Sequence, residues 1–584
     1  MKIHYTSEYN FQILIVLLKE YGIKKVIASP GSTNIPFVSA IQQDSFFEIY
    51  SSVDERSAAY IACGLAAESG EAVALTCTGA TASRNYMPGL TEAYYRHLPI
   101  LAITASGTGY PGMLTPQIID RSSPPCDIVK ISVNLPQIHS LNEKFECNIK
   151  VNQAISELFR NGGGPAHINI ISDYPNDDFS AITLPSSRKI TRLTYKNTFP
   201  VIPQGRIGIF VGSHLKWTPE LTKEVEHFCE IYNAAVFCDH TSNYYGNGKV
   251  IFTLACSQFG RIKELSPDIV IHLGMVSGDY PTSGFLRGAQ CWRVSPDGDM
   301  ADTFQGLKYV FAMNEIDFFS HYTQNNSAQK DLSYSQKCNE FVTSLREKIS
   351  EADDIPFSNI WLALQTAHKI PQNSVVHFGI LNSLRSWNLF DLPFGTECYC
   401  NTGGFGIDGC LSAVIGGALA QPDKLHFCII GDLAFFYDLN ALGNRHVGKN
   451  LRILLINNGK GGEFRLYSHT ANQVMGDKAD EFIAAAGHYG NQSCKLVKHY
   501  AEDLGFSYLS AKSKEEFSVC CEEFLNPVLN KPMILEVFTK SCDESKALYK
   551  VRHLSATPKG LLVKTAKSVF GKRGIKIIKR ILKR

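Results

Sequence analysis

A chain of 584 residues with 44% hydrophobic and 19% charged content has an ordinary soluble globular composition, and at roughly 150 residues per domain it has room for three or four domains. The formal net charge of +2 is unevenly spread: residues 551–584 hold eleven Lys and Arg and no acid, so subtraction from the 57 basic and 55 acidic residues leaves 46 against 55 in the rest. An acidic body with no recognition module argues against nucleic acid as a partner. No run reaches the ~20 apolar residues of a spanning helix, and seventeen cysteines without a short disulfide framework read as small core residues in a reducing compartment.

The apolar run 11–18 lacks a basic leader and a cleavage site, so no secretory signal is expected and the protein reads as cytoplasmic. Residues 11–21 predict a helix and 25–28 a buried strand, followed by the turn Ser29-Pro30-Gly31-Ser32. A small-residue helix over 57–68 and strands over 72–77 and 99–104 continue the alternation that implies a parallel α/β sheet. Pro, Asp and Ser accumulate over 173–187 and close this first domain, 1–187. A second α/β domain, 200–345, carries the buried runs IGIFVG, AAVFCD and DIVIHLG and ends in a charged helix reaching about residue 351. A third, 355–550, has its clearest strands at 375–378, 425–430, 451–456 and 533–537. The expected fold class is α/β, with three doubly wound parallel sheets and a basic tail, 555–584. In that tail Ile575, Ile578 and Ile581/Leu582 share one helical face, with Lys576, Lys579, Arg580 and Lys583 on the other.

The strongest chemical signal lies in residues 429–464. A hydrophobic strand ends at Gly431-Asp432, a helix follows, and a second strand ends at Asn457-Asn458-Gly459. Both ends fall where ligands bind in parallel α/β sheets. Mg²⁺ takes hard oxygen ligands and shares its octahedron with phosphate and water. Asp432 offers a carboxylate, Asn458 a side-chain carbonyl and Lys460 a backbone carbonyl. Gly431 allows close backbone approach, and the Gly461-Gly462 turn can cradle phosphate oxygens. The same residues would also suit an Asp helix cap and an Asn-Gly turn; the spacing of both elements at sheet ends favours the metal–diphosphate reading. The pair Cys398 and Cys400 has no second Cys or His pair at zinc spacing, so no metal is assigned there.

With these residues in view, Gly431-Asp432 followed by Asn457-Asn458 resembles the signature of thiamine-diphosphate enzymes. More narrowly, GDLAFFYDLNAL, NNGKGGEF and GFGIDGCLS, with SPGST (29–33), DERSAAYIACGLA (54–66) and NYMPGLTEAYY (85–95), resemble the menaquinone-pathway family of 2-succinyl-5-enolpyruvyl-6-hydroxy-3-cyclohexene-1-carboxylate synthases over about residues 8–540. The resemblance implies thiamine diphosphate and Mg²⁺ as cofactors, with a pyrimidine-binding first domain, a central domain and a diphosphate-binding third domain. It makes Glu55 the catalytic carboxyl at N1′ of the aminopyrimidine, which favours the imino tautomer of the 4′-amine, the base that takes the C2 proton of the thiazolium. Taken alone, Glu55 would be a first-turn acid on a helix dipole. The resemblance puts Ile407 beneath the cofactor, holding its rings in a V, and counts Gly431, Asp432, Leu433, Asn458, Gly461 and Gly462 among the cofactor contacts. It also implies a homo-oligomer, a dimer or a dimer of dimers, with Glu55 and Asp432 serving one site from two chains.

The resemblance breaks at the substrate. The family grips two polyanions with Arg and Lys, but Thr33 stands in SPGST where the family has Arg. Gly107 stands in TASGT, Gly284-Phe285 replaces a Lys-Arg pair, and Thr402 aligns with a further Arg. Ser32, Gln117 and Ser383 remain as pocket candidates, and Arg385, displaced from the usual spacing, could still bind one donor carboxylate. Losing one bidentate arginine at a buried carboxylate costs several kcal/mol. The expected function is therefore decarboxylation of a 2-oxo acid, with transfer of the fragment to an acceptor that is not isochorismate. The alternatives are the family's own activity in a rebuilt pocket, a simple decarboxylase, and a catalytically idle, membrane-docked paralogue. The tail suits an anionic membrane surface, at about 1 kcal/mol per basic residue near it, which would place the protein peripherally on the inner face of the membrane.

Overall fold

In a computed structural model, the described residues are 3–554 except 80, 108–123, 125, 175, 259–261, 325–329, 352–354, 489–492 and 529. The candidate Gln117 and the tail 555–584 lie outside them. The chain forms two compact units: Met1–Asn197 with Gly298–Ala312, and Thr198–Asp297 with Met313–Arg584.

The first unit carries β1 (Lys25–Ala28), β2 (Glu48–Ser51), β3 (Val73–Thr78), β4 (Ile100–Gly107), β5 (Ser132–Leu135) and β6 (Ala166–Ser172). They form one parallel sheet in the order β2-β1-β3-β4-β6-β5. Alternate side chains go to opposite faces. Val26, Ala74, Leu101 and Ile168 pack with Phe11, Leu14 and Leu17 of the helix Tyr9–Tyr21. Ile27, Leu75 and Ala102 pack instead with Ala58, Ala62 and Ala66 of the helix Glu55–Ser69. Covering both faces with helices is what makes near-continuous apolar strands such as VALTCT stable. The direction of winding reverses between β1 and β3, so that crevice is the sheet's switch point. A short parallel pair, β7 (Thr191–Leu193) with β13 (Leu307–Ala312), belongs to the same unit.

The second unit holds two parallel sheets. One takes β8 (Ile207–Val211), β9 (Ala235–Cys238), β10 (Lys249–Ile251), β11 (Ile269–Leu273) and β12 (Gln290–Ser295) in the order β10-β9-β8-β11-β12. The other takes β14 (Val375–Phe378), β15 (Glu397–Cys400), β16 (His426–Gly431), β17 (Leu451–Asn457), β18 (Ser507–Ala511) and β19 (Met533–Phe538) in the order β15-β14-β16-β17-β19-β18. Its switch point lies between β14 and β16. The predicted strand 375–378 matches β14 at both ends, and the other named strands of this sheet differ by a residue at one or both ends. The helix expected after Gly431 is short, Asp432–Tyr437, and passes into a 3₁₀ turn, Leu439–Gly443. The α/β class with three parallel sheets stands. No helix among the described residues is long and apolar enough to cross a membrane.

Candidate active site

In the first unit, the C-terminal ends of β1, β3 and β4 meet in small residues. A Cβ on Gly31 would lie 2.0 Å from Thr78 Cγ2, and one on Gly79 2.8 Å from Ser106 Oγ, so both turns approach too closely for a side chain. Ser32 is exposed on this edge. Thr33 Oγ1 donates to the Ala105 carbonyl (2.6 Å), holding the β1 turn against β4. Glu55 opens the helix that follows β2. Asp54 caps that helix, its carboxylate accepting from the amides of Arg56 (2.9 Å) and Ser57 (3.3 Å). The division of labour matters: Asp54 takes the capping bonds and leaves Glu55 half-buried, with Oε2 accepting from Asn85 Nδ2 at 3.2 Å. Asn85 lies in the quoted stretch NYMPGLTEAYY, although the sequence reading gave it no role.

In the second unit, Asp432 begins the helix at the end of β16 and is only 5% exposed. Its Oδ2 accepts the backbone amides of Asn458 (3.1 Å), Gly459 (2.5 Å) and Lys460 (3.1 Å), while Oδ1 accepts the Leu433 amide (2.8 Å). The turn after β17 thus wraps its N–H groups around the carboxylate, and Gly459 at φ +76° permits it. Burial pushes the Asp432 carboxyl up to about 6 despite the four amide donors, which pull the other way. Beside it the Asn458 side-chain oxygen is buried with no hydrogen-bond partner among the described residues. A Cβ on Gly462 would lie 3.1 Å from the Asn458 side-chain amide and 3.4 Å from that of Asn382. A buried carboxylate that resists its charge and an orphaned amide oxygen are a donor set that a hard divalent cation satisfies. The residues present therefore fit a metal-bridged diphosphate.

One expectation changes. The Gly461 amide donates to the Ala484 carbonyl (2.6 Å) and is not available to a phosphate; the 458–460 amides are likewise turned to Asp432. The turn after β14 stands out instead. Leu381 sits at φ +70°, ψ −111°, a strained conformation for a branched residue, immediately before the helix Asn382–Trp387. Ser383 is buried on that helix. Arg385 is not a free cation: its Nη1 lies 2.7 Å from Glu463 Oε2. Glu463 was inside the quoted NNGKGGEF run but had been assigned nothing.

The remaining candidates are spread over the second unit. Ile407 is half-buried against the core of the β16–β17 face. Thr402 is buried and its hydroxyl donates to Ser213 Oγ (3.2 Å). Leu433 packs close to Gly461, its Cδ1 3.3 Å from where a Cβ on that glycine would lie. Gly431 is half-buried. Where a Lys-Arg pair would have stood, Gly284 is exposed and Phe285 packs edge-on against Phe252 (5.4 Å) and Phe237 (6.4 Å). Cys398 is buried in β15, its thiol 3.5 Å from the Thr396 carbonyl.

Residues 11–112 match the family model for the thiamine pyrophosphate enzyme, N-terminal TPP binding domain. With the parallel sheets and their edges, this defines the class: a thiamine-diphosphate-dependent enzyme, whose cofactor is held with a divalent metal ion, in this class typically Mg²⁺. The chain is 30% identical over 578 residues to the 2-succinyl-5-enolpyruvyl-6-hydroxy-3-cyclohexene-1-carboxylate synthase of Bacteroides fragilis, covering 94% of this chain and 99% of that protein. It is 31% identical over 577 residues to the synthase of Phocaeicola vulgatus, with the same coverage. To that of Desulfotalea psychrophila it is 30% identical over 540 residues, 89% of this chain and 96% of the relative. The chain belongs to this family of synthases.

Proposed function

We propose that the protein decarboxylates a 2-oxo acid and transfers the remaining fragment to an acceptor other than isochorismate. The observation that carries this is selective change: Glu55, Asp432 and Asn458 keep the family pattern, while Thr33, Gly107, Gly284-Phe285 and Thr402 stand where the family presents cations. Bound thiamine diphosphate supplies the electron sink through which a 2-oxo acid loses CO₂. Asp432 Oδ, Asn458 Oδ1 and the Lys460 carbonyl would hold the metal, and Gly462 would leave room for the diphosphate. Glu55, held by Asn85, would serve as the carboxyl beside the pyrimidine ring. Ile407 would pack against the cofactor. Ser32 in the first unit and Ser383 and Thr402 in the second remain the candidate substrate contacts, together with Gln117.

In this reading residues 1–187 bind the pyrimidine and 355–550 the diphosphate, and two chains build each site. The exposed small and apolar residues Gly416 and Leu419 on one helix and Tyr60 and Ile61 on another suit such a pairing. The basic tail docks the oligomer on an anionic membrane, so removing residues 558–584 abolishes co-sedimentation with anionic vesicles and leaves turnover of a soluble donor intact.

The test is CO₂ release from a panel of 2-oxo acids with thiamine diphosphate and Mg²⁺. A fall of at least ~100-fold in Glu55→Gln is expected, within the range of general acid–base groups. Binding of cofactor without release from any acid, with or without an acceptor, would overturn the reading. A second reading, the relatives' own reaction, is favoured by likeness along nearly the whole chain; isochorismate-dependent turnover at an ordinary rate would establish it.

A further inference from the structure

Arg385 lies in the last turn of the short helix that follows the β14 turn, and its side chain is 15% exposed. Glu463, 20% exposed, meets it at 2.7 Å. Glu463 is also fixed from the other side. With the Asn382 amide oriented to satisfy both partners, its nitrogen donates to Glu463 Oε2 (2.8 Å) and its oxygen accepts the Glu463 amide (3.0 Å). Both the backbone and the carboxylate of Glu463 are therefore tied to the helix that carries Arg385. Glu463 follows Gly462, where a Cβ would lie 3.1 Å from the Asn458 side-chain amide, so the pair borders the proposed metal and diphosphate site. Tyr280 lies within electrostatic range of both charges, and its ring is 5.8 Å from that of Phe405 in the GFGIDG turn.

We propose that Glu463 determines which donor the site accepts: by occupying Arg385 it excludes 2-oxo dicarboxylic acids and restricts decarboxylation to 2-oxo monocarboxylic acids with an uncharged side chain. This rests on the decarboxylase reading above. A distal carboxylate arriving at Arg385 must either displace the Glu463 carboxylate, breaking an ion pair and its contact with the Asn382 amide, or stand beside it as a like charge in a partly desolvated crevice. An uncharged donor meets neither obstacle. It has no second carboxylate to place, and the closed pair presents it with a neutral wall beside Tyr280 and Phe405.

The experiment compares kcat/KM for CO₂ release from pyruvate, 2-oxobutanoate and 2-oxoglutarate by the holoenzyme, with thiamine diphosphate binding followed separately by tryptophan fluorescence. The unmodified protein is expected to favour the two uncharged acids. Glu463→Gln keeps the amide contacts with Asn382 and frees the guanidinium. It is expected to raise the 2-oxoglutarate-to-pyruvate ratio at least tenfold, and the double change Arg385→Met, Glu463→Gln is expected to cancel that gain. A merely structural role for Glu463 would move all three acids together. Preference of the unmodified protein for 2-oxoglutarate, or an unmoved ratio in Glu463→Gln, overturns the inference while leaving decarboxylation in place. Silence from every acid despite bound cofactor removes the decarboxylase reading and this inference with it.

Discussion

The amide of Asn458 donates to the carboxylate of Asp432 at 3.1 Å, while the side-chain oxygen of the same asparagine is buried without a partner among the described residues. The backbone of Asn458 thus holds the acid in place, and its side chain waits for something else. The two functions separate by mutation. Asn458→Ala keeps the backbone bond and removes the side-chain amide with its orphaned oxygen. Metal-dependent affinity for thiamine diphosphate is expected to fall at least tenfold, with an unfolding midpoint close to that of the parent. Asp432→Ala removes the acceptor of four amides and is expected to lose affinity and also about 1–3 kcal/mol of stability. Cofactor titration in Mg²⁺ alongside thermal unfolding distinguishes the two; equal stability losses would contradict the assignment.

Glu55 and Asn85 give a graded pair. Asn85→Ala removes a 3.2 Å bond to the catalytic candidate without touching its charge. Its kcat is expected to drop roughly tenfold, less than the ~100-fold or more expected for Glu55→Gln, with cofactor still bound in both. An Asn85→Ala enzyme at full activity would show that the bond does not position Glu55.

Gly89 is a packing test in the first unit. A Cβ there would lie 2.4 Å from Ala59 Cβ and 2.9 Å from the Ala59 carbonyl carbon, and backbone cannot yield as a flexible side chain does. Cys63 also donates to the Gly89 carbonyl (3.2 Å). Gly89→Ala pries the helix Met87–Tyr95 from the helix Glu55–Ser69 and is expected to cost about 1–3 kcal/mol. Denaturant unfolding reads this directly, and turnover falls with it because Glu55 heads the displaced helix.

Acid should loosen the second unit. Burial drops His240 and His426 to about 4, and drops His272 and His377 to about 3, with Arg293 adding to the shift of His272 and His426 to that of His377. All four are neutral in the fold, whereas in the unfolded chain they titrate near 6.5. Above that value their contribution is fully present. As pH falls from about 6.5 toward 4 these four rings take up protons only in the unfolded state, and each lowers stability by up to about 1.4 kcal/mol per pH unit; the buried carboxyls of Asp279 and Asp432, pushed up to about 6, and of Glu544, pushed up to about 7, are protonated in the fold over the same window and offset part of that loss. The unfolding midpoint followed across this window is expected to fall, and His377→Gln to flatten the slope. A slope left unchanged by His377→Gln would show that this ring is not held neutral in the fold.

The sequence by itself determined the α/β class, the order of the elements and the two motifs at the strand ends. Continuous apolar runs, glycine stops and sheet-edge carboxylates are local patterns, and local patterns survive in one dimension. That is why β14 could be bounded at both ends, and why Asp432 and Asn458 could be paired across 26 residues from the strand–helix–strand interval alone. What only the tertiary structure decided is where polar groups find their partners. The amides of 458–460 turn to Asp432, the Gly461 amide goes to Ala484, Asn85 reaches Glu55, and Glu463 closes on Arg385 from 78 residues away. Hydrogen bonds and ion pairs act over about 3 Å. Which groups come within that distance is set by how strands and helices pack, and no spacing along the chain records it.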